Sequence, residues 1–188
     1  SYNVYITQSG EEIWRQNGIT GTELVYPGGP ELQPELLYLV VVEADNATSS
    51  RDEGTKGLGF RILHTENITT IETISAKIEA LGLSKAATIL ARAQLYKGSG
   101  LISEAITMLE VAIAEDNQPT AIHHTLADLY ANTGLFLLAE ERYREALILA
   151  QAENNVETVT ILHHRLGEVY IRFNPVSYTH LTLPTNTP

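Results

Sequence analysis

The sequence contains no cysteine. That absence removes disulfides, a thiolate nucleophile and any cysteine-based zinc site, and it leaves the compartment open. Cations are scarce as well: 12 Lys and Arg stand against 23 Asp and Glu, for a formal net charge of -11. Nucleic-acid binding needs clustered basic side chains to displace counterions, so no nucleic-acid partner is expected, and docking on an anionic membrane surface is disfavoured for the same reason. Long apolar runs are also missing. The longest, Leu36 to Val42, is far too short to cross a bilayer as a helix, so no transmembrane segment is expected in this stretch of chain. The sequence has no phosphate loop, dinucleotide-binding glycine fingerprint, His-Glu-x-x-His helix or Gly-x-Ser-x-Gly elbow. "GLGF" at 57–60 lacks a third glycine and opens a strand rather than a helix. No cofactor is expected, and the function is expected to be non-catalytic. What remains is ample for folding: 44% of the 188 residues are apolar, enough for one ordinary domain or two small ones.

The first sixty-odd residues have strand character. Tyr2, Val4 and Ile6 alternate with polar residues, and "EEIWRQ" and "TELVYP" are short β-prone runs. Gly and Pro cluster in "PGGPELQP" before "LLYLVVVEA", and "GLGFRIL" follows the polar loop Asp45 to Lys56. Five short strands separated by turn signals predict an antiparallel β-sandwich. The most specific feature is Leu32-x-Pro34-x-x-x-Tyr38-x-Val40-x-Val42-x-Ala44. It resembles the penultimate strand of a fibronectin type III-like domain. The resemblance implies a tyrosine ring packed inside, with its hydroxyl returned to backbone a few residues upstream. Alternation then sends Tyr38, Val40, Val42 and Ala44 to one face. The resemblance covers only the later strands. Trp14 sits too late to be the core tryptophan of such a domain, and the chain begins at Ser1 in mid-alternation. The first strands are therefore expected upstream, leaving a partial sandwich with an exposed edge.

From about Thr65 the period becomes helical. Ile71, Ile74, Ile78 and Leu81 share one face of a first helix; Gly82 is a C-terminal stop and Ser84 an N-cap for the next. Beyond that point the chain repeats itself. Tyr96, Gly100, Ala105 and Ala112 recur as Tyr130, Gly134, Ala139 and Ala146, each displaced by 34 residues, and Tyr170 opens a third unit forty residues after Tyr130. These residues resemble the tetratricopeptide repeat, a 34-residue helix-turn-helix unit. Small side chains stand where paired helices approach closely, and Leu109 and Tyr143 fill the gap. Leu126 and Leu166 take the leucine position of the first helix. Ala127 and Gly167 follow at the small position. The six-residue excess in "LAQAENNVETVT" resembles repeats with helices extended by about a turn, as in kinesin light chain-like arrays. Arg92 replaces the expected leucine of the first unit, and Gln151 stands where proline is common.

The expected architecture is a multidomain β + α chain: a partial fibronectin III-like antiparallel β-sandwich over 1–64, a connecting helix over 65–83, and an α-helical tetratricopeptide superhelix over 84–174. The last comprises two full repeats and the first helix of a third, whose apolar face is expected to be exposed for want of a cap. The segment 175–188 is set apart. "VSYTHLTLPT", Val176 to Thr185, resembles the translation of a transposase sequencing adapter at all ten residues, so it is expected to be a non-native tail.

Two histidine pairs stand out, in "IHHTLADLY" and "LHHRLGEVY". By repeat position His123 and His163 fall in an aromatic packing slot between the helices of a unit. His124 and His164 turn toward the concave groove, with Asp128 and Glu168 one helical turn further along the same face. The four groove residues are candidates for partner contact, for an inert solvated face, or for metal ligation, which their chemistry permits. Helix axes 8–10 Å apart are generous for a single ion. No metal site is assigned, and a metal-responsive binding protein stands as the alternative to the main expectation, a protein-protein interaction scaffold of bacterial type. Some grooves of this family clamp a terminal carboxylate with Lys, Asn and Arg. The matching positions here hold Leu90, Gln94, His124 and Asp128, which supply no such clamp. Asp128, Glu168 and the overall acidity therefore point to a neutral or basic peptide partner. Glu140, Glu141 and Glu145, with Arg142 and Arg144 among them, form a charged helix face with local ion pairs. "NAT" at Asn46 and "NIT" at Asn67 match glycosylation sequons with little weight.

Overall fold

The structure is a computed structural model, and it describes residues 1–46, 48–51, 59–115 and 119–173. The expected tail, 175–188, lies outside these residues, as does most of the loop before Gly59. A small antiparallel sheet is followed by six helices. The chain divides into two compact units, Ser1–Thr70 and Ile71–Pro188.

In the first unit β1 (Tyr2–Gln8), β2 (Glu11–Ile19), β3 (Tyr38–Ala44) and β4 (Gly59–Phe60) form one sheet in the order β2-β1-β3-β4. β1 and β2 are joined at Ser9 and Gly10, both with positive φ (51° and 90°), the mirror-image turn whose twist matches that of paired strands. "TELVYP" is not a strand. Pro27 and Pro30 withhold backbone donors there, and the segment is fastened instead by Tyr26, whose ring meets Trp14 edge-on at 5.3 Å. Among the described residues the sheet is a single layer of four strands, not the five expected. Burial in β3 also departs from the expected alternation: Tyr38 is buried, but so is Val41 on the other face. Val41 pairs with Tyr5 of β1. The Tyr5 ring lies under Arg15 at 4.2 Å, and its hydroxyl donates to Glu43 at 2.8 Å. An aromatic ring capped by a cation thus covers the second face. On the first face Tyr38 packs against Phe60 at 5.5 Å. Its hydroxyl accepts from the Gln33 backbone N–H at 2.8 Å, five residues upstream, as the sequence had suggested.

The second unit is built from α1 (Thr65–Ala80), whose first turns belong to the preceding unit, α2 (Lys85–Gly98), α3 (Ile102–Glu115), α4 (Thr120–Asn132), α5 (Phe136–Ala152) and α6 (Val156–Phe173). Of the four apolar positions expected on one face of α1, Ile71 is buried, whereas Ile74 and Leu81 are exposed. Ser84 caps α2, accepting from the Ala87 N–H at 3.3 Å, an interaction typically worth about 1 kcal/mol. The 34-residue recurrence has a backbone counterpart. After α2 the Leu101 N–H returns to the Tyr96 carbonyl at 2.9 Å; after α4 the Leu135 N–H returns to Tyr130 at the same distance. Gly100 (φ 79°) and Gly134 (φ 83°) supply the left-handed residue that this closing turn needs. After α5 Asn154 (φ 54°) takes that place, and Asn155 N–H returns to the Ala150 carbonyl.

These tight turns make successive helices antiparallel neighbours. Lys85 at the start of α2 meets Glu115 at the end of α3 at 3.2 Å, and Thr120 at the start of α4 donates to Glu153 just past α5 at 2.9 Å. Ala105, Ala139 and Ala146 are fully buried, and Ala112 nearly so, where a larger side chain would hold the helices apart. Leu109 and Tyr143, one repeat apart, fill the space beside them. Hydroxyls tie hairpins together: Tyr130 donates to Glu110 of α3, while Tyr170 donates to Glu140 at 2.9 Å and accepts from Arg144 at 3.0 Å. The six-residue excess is absorbed by longer helices, α5 with 17 residues against 14 in α3 and α6 with 18 against 13 in α4. As expected for a last helix without a successor among the described residues, α6 exposes Val156, Ile161, Tyr170 and Ile171.

Candidate functional site

The two histidines assigned to a packing slot part company. His123 is buried, and its Nδ1 lies 3.1 Å from a Glu145 carboxylate oxygen that also accepts from Arg142 at 2.7 Å. His163 is exposed. The difference is one of neighbours: α4 packs on both α3 and α5, whereas α6 packs chiefly on α5 among the described residues, reaching α4 through Arg165. The expected charged face of α5 is also there, with Arg142 to Glu141 at 3.5 Å and Arg144 to Glu140 at 2.6 Å.

His124 and His164 each approach the acid one turn along their own helix. His124 Nε2 lies 3.7 Å from Asp128 Oδ2, and His164 Nδ1 lies 3.9 Å from Glu168 Oε2. Both distances are too long for hydrogen bonds. The two acids are drawn together by a residue that the repeat pattern did not single out. Arg165 places Nε 3.6 Å from Asp128 Oδ1 and donates from Nη1 to Glu168 Oε2 at 3.0 Å. The Tyr143 hydroxyl donates to Asp128 Oδ1 at 2.6 Å, and the Tyr143 and His124 rings are 6.0 Å apart. The four expected residues therefore belong to one network, with a guanidinium standing between the two carboxylates where a shared metal ion would have to sit. No group of three or more metal-ligating side chains gathers among the described residues.

The electrostatics follow from this wiring. The hydrogen bond from Arg165 holds the Glu168 carboxyl below its ordinary value, and Glu168 in turn holds the Arg165 proton more tightly. Burial, then the hydrogen bond to Asp128, pushes the Tyr143 phenol well above its ordinary 10.0. Burial and Glu110 do the same for Tyr130, and burial and Glu43 for Tyr5. A folded pKa raised above the unfolded value contributes stability that is complete below pH 10.0 and is lost as pH rises beyond it. Phenolate absorbance should accordingly show that these three of the nine tyrosines ionise late, in the alkaline range where helicity is lost, and Tyr143→Phe should remove one late phenol. A titration complete near pH 10.0, with no late component, would mean these rings are not held as described.

Around the network lies a cavity of about 130 Å³, lined from α2 by Lys97, from α4 by Asp128 and Asn132, from α5 by Tyr143, and from α6 by Arg165, Glu168 and Arg172. Alternate helices α2, α4 and α6 thus face one space, and α2 touches α4 directly. Three cations and two carboxylates meet there, and both carboxylates are already engaged by Arg165. Asp128 and Glu168, on which the expectation of a neutral or basic partner partly rested, are thus both engaged by Arg165 within the protein. Lys97, Asn132, Arg165 and Arg172 were not anticipated. A helical-step signal existed, since Asn132 follows Asp128 and Arg172 follows Glu168 by one turn.

No family model and no curated protein matches the chain. Among solved structures, the solution structure of protein BPP2914 from Bordetella parapertussis aligns over 57% of this chain and 96% of its own, with 17% sequence identity and a TM-score of 0.48. At that identity and superposition the likeness assigns the chain neither to a family nor to a function.

Proposed function

We propose that the chain is a non-catalytic protein-interaction module, in which a fibronectin III-like β unit precedes a tetratricopeptide-type helical array that binds a peptide segment of a partner. The observation that carries this reading is that alternate helices α2, α4 and α6 present side chains to one common cavity. Helical hairpins stacked in register produce such a surface, with every first helix on the same side. The 34-residue recurrence, the buried Ala105 and Ala139, and the matching turns after α2 and α4 support the array. The Tyr38 hydroxyl held by Gln33 supports the sandwich-type corner. No helix among the described residues is long and apolar enough to cross a membrane.

The test is selection of peptides from a random displayed library on the intact chain, followed by measurement of the selected peptides against Asn132→Trp. Asn132 is exposed at the cavity, so an indole there fills the space at little cost to folding. Loss of binding by tenfold or more places the interaction in the cavity. Undiminished binding moves it elsewhere on the chain, and failure to select any peptide ends the interaction reading.

A further inference from the structure

We infer that the cavity between α2, α4 and α6 is an anion-accepting subsite, and that the partner segment is acidic, offering side-chain carboxylates spaced along an extended chain. This inference rests on the interaction reading above and supplies the chemistry of the partner. It runs against the net charge of -11, so the local arrangement has to outweigh the global one. Screening decides that contest: charges separated by more than about 8 Å in physiological salt are largely hidden from one another, so a bound ligand responds chiefly to the side chains it touches.

Those side chains are donors. Asp128 and Glu168, the only acids lining the cavity among the described residues, share Arg165, and Asp128 also accepts from Tyr143. Arg165 uses Nε and Nη1 for these two partners, leaving its remaining guanidinium nitrogen without a partner among the described residues. The Lys97 and Arg172 side chains make no ion pair or hydrogen bond among the described residues, although Arg172 acts electrostatically on Glu168, and both are exposed at the cavity rim. Asn132 adds a side-chain amide with no hydrogen-bond partner among the described residues. A cationic side chain entering this space would meet an ammonium and two guanidinium groups, whereas a carboxylate would meet these three cations and the Asn132 amide, with the two lining carboxylates already paired to Arg165. The donors are distributed one helix at a time, Lys97 on α2, Asn132 on α4 and Arg172 on α6. Neighbouring helix axes lie about 8–10 Å apart and an extended peptide rises about 3.3 Å per residue. Acidic residues about three apart would therefore meet successive helices.

The probes are three acetylated, amidated nonapeptides, which offer no terminal carboxylate. One has Asp at every third position, one has Asn there, and one has Lys. Binding is followed by fluorescence polarisation with the intact chain, with Lys97→Glu/Arg172→Glu, and with Lys77→Glu/Lys85→Glu, which makes the same change in net charge at exposed positions of the same unit that do not line the cavity. The Asp peptide is expected to bind at least tenfold tighter than the Asn peptide, to weaken as salt is raised, and to lose that advantage only in the cavity variant. Circular dichroism of both variants checks that helicity is intact. Equal binding of the Asp and Asn peptides, or tighter binding of the Lys peptide, overturns the anion subsite while leaving a peptide groove in place. Equal losses in both variants also overturn it, because net charge rather than the cavity would be responsible. If peptides selected from the random library bind and the Asp peptide does not, the subsite is wrong and the groove stands; if neither binds, both fail.

Discussion

Replacing Tyr143 with alanine is expected to destabilise the helical unit by about 3–5 kcal/mol, the usual loss for a fully buried aromatic ring. The ring is only 1% exposed and fills the space left beside the small residues Ala139 and Ala146 of its own helix. Its hydroxyl is also the closest donor to Asp128, at 2.6 Å. Alanine therefore opens a cavity and at the same time leaves a carboxylate oxygen with Arg165 alone, 3.6 Å away. Tyr143→Phe separates the two effects. It keeps the packing and removes the donor, so its cost is expected to be about 1–3 kcal/mol, the price of an unsatisfied partly buried acceptor. Urea unfolding followed by helical circular dichroism measures both, provided the denaturant slope is unchanged. Equal losses for the two variants would show that the ring contributes nothing by packing, contrary to its burial.

A second large effect is expected from one repeat position occupied by two different residues. Leu126 is 1% exposed in the middle of α4 and sits in the core with Ala93, Leu109 and Leu162. Leu126→Ala should cost about 2–5 kcal/mol. Arg92 holds the same position in α2, one repeat earlier. It reaches out to Glu79 of α1 at 3.1 Å and to the Tyr96 hydroxyl at 3.2 Å, with 31% of its side chain exposed. Exposed ion pairs are worth about 0.2–1 kcal/mol, so Arg92→Ala should cost no more than about 1 kcal/mol. The same urea experiment compares them. A loss for Arg92→Ala matching that for Leu126→Ala would mean the arginine stem is part of the core after all.

The contrast between these positions shows how far a repeat pattern reaches. Spacing located the helical period of the second half and its 34-residue recurrence, because each depends on residues near in sequence, and the resemblance to the tetratricopeptide repeat implied the small residues between the helices. It also placed His124, Asp128, His164 and Glu168 on two corresponding faces. The neighbours that set their chemistry lay beyond its reach. Asp128 meets Tyr143 and Arg165 only because α5 and α6 fold back beside α4. His123 and His163 have a similar local sequence environment, yet one is buried and the other exposed, since α4 packs on both α3 and α5 whereas α6 packs chiefly on α5 among the described residues. In the β unit, "TELVYP" had the composition of a strand. Strand formation requires a partner edge, and between two prolines and the Trp14 ring this segment found side-chain packing instead.

By itself, then, the sequence determined the periods: extended runs at β1 and β3, and a 3.6-residue stripe and a 34-residue recurrence in the helices. These are short-range consequences of backbone geometry. Only the tertiary structure decided the sign of the cavity. Acids counted along the chain gave it a negative character, but Coulomb energy depends on distance in space, and folding sets Arg165 between Asp128 and Glu168 while bringing Lys97 and Arg172 to the rim from helices far apart in sequence.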